Sequence, residues 1–135
     1  MSTYTSTTIH EGQFRMRTEF AQSGSSIYTD VGAALGGRGE MPSPAQLLAA
    51  SVAACMNSMM VFMGKRHNIN TEGIIIKAGY EEGRQGITAL NFHITIPHPT
   101  QAAQRSVLEA AVKSCPVGSA ISTGISKNIS WTWTD

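Results

Sequence analysis

Two cysteines, Cys55 and Cys115, are the residues of this 135-residue chain best suited to chemistry. An unpaired cysteine is among the most buried residue types, so each thiol could simply be a small core hydrophobe. Their settings differ from that. Cys115 directly precedes Pro116-Val117-Gly118, the pattern of an N-cap before a proline-started helix, where N–H groups and the helix dipole favour a thiolate. Cys55 lies within a long uncharged run. Two thiols that meet in the fold would form a peroxidatic and resolving pair.

Other chemistries find less support. His10, His67, His93 and His98 lack the spacing of metal ligands, and none lies within a few residues of a cysteine, so no metal is expected. The glycine-rich stretch Gly36-Gly37-Arg38-Gly39-Glu40 lacks the Lys-Ser/Thr of a phosphate loop, and no cofactor is expected. Met56, Met59, Met60 and Met63 read as plastic core filler. No Ser-His-Asp arrangement emerges from the spacing.

The elements that must position the thiols begin with the run from Ser43 to Gly64. Ser43 is placed as an N-cap with Pro44 at the first helical position, and Lys65, Arg66 and His67 suit the negative end of a dipole, so the helix is predicted to end near Asn68. Leu48, Val52, Cys55, Met59 and Phe62 form one helical stripe, while Leu47, Ala50, Ala54 and Val61 cover much of the remainder. Such a helix is expected to be buried nearly all round. A membrane span is the rival, since about twenty apolar residues can cross a bilayer. Gln46, Ser51, Asn57 and Ser58 interrupt the run, and no aromatic belt flanks it, which argues against a span.

Strands are predicted around it. Phe14, Met16, Thr18 and Phe20 alternate with Gln13, Arg15, Arg17 and Glu19, and Ile27, Thr29 and Val31 resume the alternation after a turn at Gln22 to Ser25. Gly32 to Met41 reads as a loop. Beyond the helix, Gly73 to Tyr80 reads as a strand, and Leu90, Phe92, Ile94 and Ile96 mark one face of another that ends at Pro97 and Pro99. Thr100 to Lys113 is an amphipathic helix, and Ile129, Trp131 and Trp133 close the chain as a strand. This order predicts an α+β fold with a mostly antiparallel sheet and a single domain over residues 1–135. One sheet cannot cover an apolar helix of roughly 36 Å at 1.5 Å per residue, so a homodimer is expected.

The bulk composition narrows the partners. At 41% hydrophobic and 14% charged residues, the chain has little charge to spread over a monomer's surface. A net charge of +1 with no Lys/Arg run gives no footprint for nucleic acid or acidic lipid, and Met1 to His10 is polar rather than signal-like. The expectation is therefore a cytoplasmic protein with neither nucleic-acid nor membrane partners, whose thiols stay reduced until chemistry oxidises them.

Two segments together resemble the family of osmotically inducible protein C and organic hydroperoxide resistance protein. They are the Pro-x-x-Leu-Leu-Ala-Ala pattern from Pro44, ending in Ala53-Ala54-Cys55, and Ser114-Cys115-Pro116-Val117. The resemblance implies an intertwined α+β homodimer around long buried helices, and thiol-dependent reduction of organic hydroperoxides with a dithiol electron donor. Cys55 matches the peroxidatic and Cys115 the resolving cysteine. Arg38 matches the loop arginine that stabilises the thiolate and steers the peroxide. The family's glutamate after the helix-start proline is replaced by Ala45, leaving Glu40 and Gln46 as auxiliary candidates near Arg38. That departure supports an alternative, a family member with weak or no turnover that binds a small apolar or acyl ligand between subunits.

Overall fold

Threonine-rich and polar, the opening of the chain nevertheless pairs as a strand. In the computed structural model, which describes residues 3–135, strand β1 (Ser6–His10) runs antiparallel to β2 (Met16–Phe20), with Ser6 opposite Phe20 and His10 opposite Met16. Strand β3 (Ser26–Thr29) pairs on the other edge of β2, Met16 opposite Thr29. The strand predicted from Gln13 instead begins at Met16. Gly12, Gln13 and Phe14 all take positive φ, and Glu11 N–H to Arg15 O (2.8 Å) with Arg15 N–H to Gly12 O (3.0 Å) closes them into the hairpin turn. These strands, a short 3₁₀ turn at Ala33–Leu35 and the first turn of the long helix make up one compact unit, Met1–Leu47.

Helix α1 (Pro44–His67) starts where the sequence predicts, for a visible reason. Ser43 Oγ accepts from the Gln46 N–H (3.2 Å) and Gln46 Oε1 accepts from the Ser43 N–H (2.9 Å), a capping box that satisfies two orphan donors and stabilises the helix start by about 0.5–2 kcal/mol. At the other end Asn68 takes φ 55 and Ile69 N–H bonds back to Gly64 O at 2.8 Å. Gly64 is required there, because a Cβ would lie 2.5 Å from Thr71 Cγ2.

The second unit is Leu48–Asp135. Strands β4 (Ile75–Gly83) and β5 (Gly86–Pro99) form an antiparallel hairpin, and β6 (Ser126–Thr134) joins β5 in parallel, giving the order β4-β5-β6. The fold is thus α+β, with two three-stranded sheets rather than one among the described residues, and one of their four strand pairs is parallel. A parallel pair needs a crossover, and α2 (Ala102–Lys113) and α3 (Pro116–Ser119) supply it. Leu90, Phe92, Ile94 and Ile96 are buried on one face of β5, as their alternation predicts, and pack in one cluster with Leu108 and Val112 of α2 and Val52, Met56 and Met60 of α1. Each such side chain contributes about 1.5–3 kcal/mol relative to exposure.

The buried stripe of α1 differs from the one predicted. It consists of Ala49, Val52, Ala53, Met56, Met60 and Gly64, whereas Cys55 and Met59 are half-buried and Phe62 is 55% exposed. Nor is the helix covered all round within one chain, because Ala50, Ala54, Ser58, Val61 and Phe62 leave a continuous outer face. Apolar residues on every side give the helix little directional signal, so sequence alone does not choose the inward face.

Candidate active site

Helix α1 and the crossover bring the two thiols together. Cys115 is the N-cap of α3: its N–H bonds to Val112 O (3.3 Å), and its Sγ accepts from the Gly118 N–H at 3.3 Å. The same sulfur lies 4.0 Å from Val52 O on α1, three residues before Cys55, whose thiol is close enough to act on the Cys115 thiol electrostatically. Cys115 is buried, 1% exposed, while Cys55 is half-buried. Cys55 is therefore the more exposed of the two thiols. A cavity of about 280 Å³ opens beside Cys115, with Met56, Val112 and Ile129 among its other walls and Lys113 and Lys127 also lining it; Cys55 is not among its lining residues.

Burial pushes the Cys115 thiol above its ordinary value of 9.0, and hydrogen bonding to Cys55 adds to the rise, while the Gly118 and Val117 N–H groups pull the other way without prevailing. This corrects the expectation that the helix start favours a Cys115 thiolate. A four-residue helix has little dipole to offer, and the apolar surroundings outweigh it. Cys115 is held as a neutral thiol.

Arg38 belongs to the first unit, on the loop between β3 and α1, and that loop is organised by a residue the sequence reading passed over. Asp30 is buried. Its Oδ1 accepts from the N–H groups of Val31 (2.8 Å) and Arg38 (3.2 Å), and its Oδ2 accepts from that of Glu40 (3.2 Å) with Arg15 Nη2 at 3.5 Å. Burial raises this carboxyl, but the three backbone donors and the guanidinium together outweigh it and hold it below 3.8. An aspartate at a strand end followed by a glycine-rich loop is the sequence signal for such an anchor. Arg38 Nε donates to Gln13 Oε1 at 3.3 Å, whereas Glu40 accepts from Arg15 Nη2 at 2.9 Å. Glu40 is thus engaged by a different arginine. Gln46 is engaged in the helix cap, and Ala45 presents no polar group.

Among the described residues, no group of three or more His, Cys, Asp or Glu side chains could hold a metal. His93 sits between Ser130 Oγ (2.6 Å) and Thr132 Oγ1 (2.8 Å), and His98 bonds to Glu72 O, so these histidines tie strands and turns.

The chain belongs to the OsmC-like protein family, whose family model matches residues 37–130 and so takes in both cysteines and Arg38. Its fold is similar to solved structures across nearly the full length. A structure from Psychrobacter arcticus, named for osmotic stress induction and detoxification response, has a TM-score of 0.92 at 22% identity, with 98% of each chain covered. An organic hydroperoxide resistance protein from Legionella pneumophila aligns at TM-score 0.73 and 22% identity, covering 98% of this chain and 99% of that one. An OsmC-like protein from Mycoplasma pneumoniae aligns at TM-score 0.83 and 16% identity, with 99% of both chains covered. No curated protein matches the sequence.

Proposed function

We propose that the protein is a thiol peroxidase that reduces organic hydroperoxides through Cys55 and Cys115. The observation that carries this reading is the pairing of a half-buried Cys55 with a buried Cys115 held as a thiol beside it. Cys55 thiolate attacks the outer peroxide oxygen, the O–O bond breaks, and the leaving alkoxide takes up a proton, giving an alcohol and Cys55 sulfenic acid. Cys115 then attacks the Cys55 sulfur, the S–O bond breaks, and the products are a disulfide and water. An external dithiol returns both residues to thiols. Arg38 is assigned to thiolate stabilisation and peroxide orientation on the strength of the family resemblance, and Glu40 and Gln46 drop to supporting the loop and the helix cap.

The reading includes a homodimer, because the outer face of α1 exposes Val61 and Phe62 at 36% and 55%. A compact monomer in sedimentation at micromolar concentration would remove that part. A second reading, a ligand-binding member with weak turnover, is favoured by Arg38 facing the neutral Gln13 rather than a carboxylate.

Titration with an organic hydroperoxide decides between them. The wild type should lose both thiols per equivalent and recover them with a dithiol. Cys55→Ser should consume no peroxide, and Cys115→Ser should stop at the sulfenic acid or beyond. Survival of both wild-type thiols under stoichiometric peroxide would leave the ligand-binding reading.

A further inference from the structure

Gly118 is engaged at both ends. Its N–H donates to Cys115 Sγ at 3.3 Å, and its carbonyl accepts from Lys127 Nζ at 3.1 Å. Lys127 stands on β6 opposite Leu90 of β5, so its backbone is fixed by the sheet. Helix α3 is a single turn closed by Ser119 N–H to Cys115 O (2.9 Å) and Ala120 N–H to Pro116 O (3.2 Å), with Val117 39% exposed, and Lys127 adds a side-chain hydrogen bond that links this turn to the sheet. Lys127 also lines the cavity that Cys115 faces.

We infer that Lys127 is a positioning residue for disulfide formation: through the Gly118 carbonyl it holds α3 so that Cys115 stays aligned on Cys55, and its charge favours the Cys115 thiolate during attack. The inference rests on the peroxidase reading for its place in the reaction. In that step Cys115 gives its proton to solvent, its sulfur forms the S–S bond as the Cys55 S–O bond breaks, and the departing hydroxide is protonated to water. No further oxidant or reductant takes part. Burial works against this deprotonation, which is why a nearby cation has work to do. The titratable and charged groups around Cys115 are Cys55 from α1, Lys113 from α2 and Lys127 from β6. Of the two lysines, Lys127 is the one whose ammonium hydrogen-bonds α3, at the Gly118 carbonyl.

Two measurements on Lys127→Met and Lys127→Arg test this. Lys127 is exposed, and methionine keeps its apolar stem, so both variants should fold. In stopped-flow oxidation by an organic hydroperoxide, Lys127→Met should lower the ratio of disulfide formation to Cys55 oxidation roughly tenfold, the size expected for loss of a charge-assisted hydrogen bond. The second measurement needs no peroxide. In a Cys55→Ser background, the reaction of Cys115 with an aromatic disulfide should slow with Lys127→Met, its pH profile should move upward, and Lys127→Arg should restore most of both. Equal or faster Cys115 reaction in Lys127→Met, an unmoved pH profile, or failure of Lys127→Arg to rescue would overturn the inference. Should peroxide oxidise no thiol in any of the proteins, the peroxidase reading falls, and the aromatic-disulfide comparison still decides the role of Lys127.

Discussion

Replacing Gly37 with alanine drives a methyl group into the Val31 carbonyl. The added Cβ would sit 2.1 Å from Val31 O and 2.7 Å from Val31 C, against the 3.0 Å below which real Cβ atoms are essentially never found. Both atoms are backbone, so the two segments must separate by close to 1 Å. That movement also reaches the Gly39 N–H, which donates to the same Val31 oxygen at 3.0 Å, and the Gly37 N–H, which donates to Gly32 O at 3.2 Å. Overpacking at about 1–3 kcal/mol, with about 1 kcal/mol for a weakened hydrogen bond, gives a loss of roughly 2–4 kcal/mol. In a chain of this size that lowers Tm by about 5–15 °C. Gly32→Ala, in the same loop, is the control: its φ of −66° suits any residue, nothing lies within 4 Å of the new Cβ, and the change should stabilise by about 0.4–1 kcal/mol. Thermal melts of the two variants should therefore shift in opposite directions. Under the proposed function Gly37→Ala should also slow Cys55 oxidation, since this loop carries Arg38. Melting of Gly37→Ala within about 2 °C of Gly32→Ala would refute the reasoning.

Asp30 makes stability fall in acid. Its folded-state carboxyl lies below 3.8, so its contribution is complete above that value and is lost as pH falls through the folded value. The difference in urea midpoint between wild type and Asp30→Asn should shrink as pH drops below 3.8; a constant difference would contradict the anchor. Ala45→Glu places a carboxylate in the first turn of α1, which the dipole favours by roughly 0.3–1 kcal/mol, and should offer Arg38 the ionic partner that Gln13 is not. Peroxide oxidation of Cys55 should then speed up, and Arg38→Ala should abolish the gain; an unchanged rate means that the absent glutamate limits nothing.

Where a local signal dominated, the sequence was a good guide. Ser43-Pro44 with Gln46 three residues after the cap marks the start of α1, and the alternation of Leu90, Phe92, Ile94 and Ile96 marks the inner face of β5. Cys115 before Pro116 reads directly as an N-cap. Features that depend on distant partners were not legible. All five residues of β1 are exposed, so no hydrophobic alternation announces the strand; pairing with β2 creates it. The parallel pairing of β6 is a property of topology rather than of Ile129, Trp131 and Trp133. Asp30 before a glycine-rich loop carries a general turn signal, but its role as anchor lies in three N–H groups that only the folded loop directs at it. The Cys115 environment was misjudged for a related reason, since burial is decided by Val52 and Cys55, far away in the chain.

The parallel pairing of β5 with β6 bears on when the two thiols can first meet during synthesis. Cys115 rides on the crossover between those strands, and the Lys127 tether of its helix is part of β6 itself. At about 5–20 residues per second, roughly 3–12 s pass between the synthesis of Cys55 and that of Cys115. Throughout that interval Cys55 has no intramolecular thiol to meet. Under the proposed function, a growing chain that meets peroxide is thus exposed to oxidation past the sulfenic stage until the crossover and β6 dock and supply Cys115.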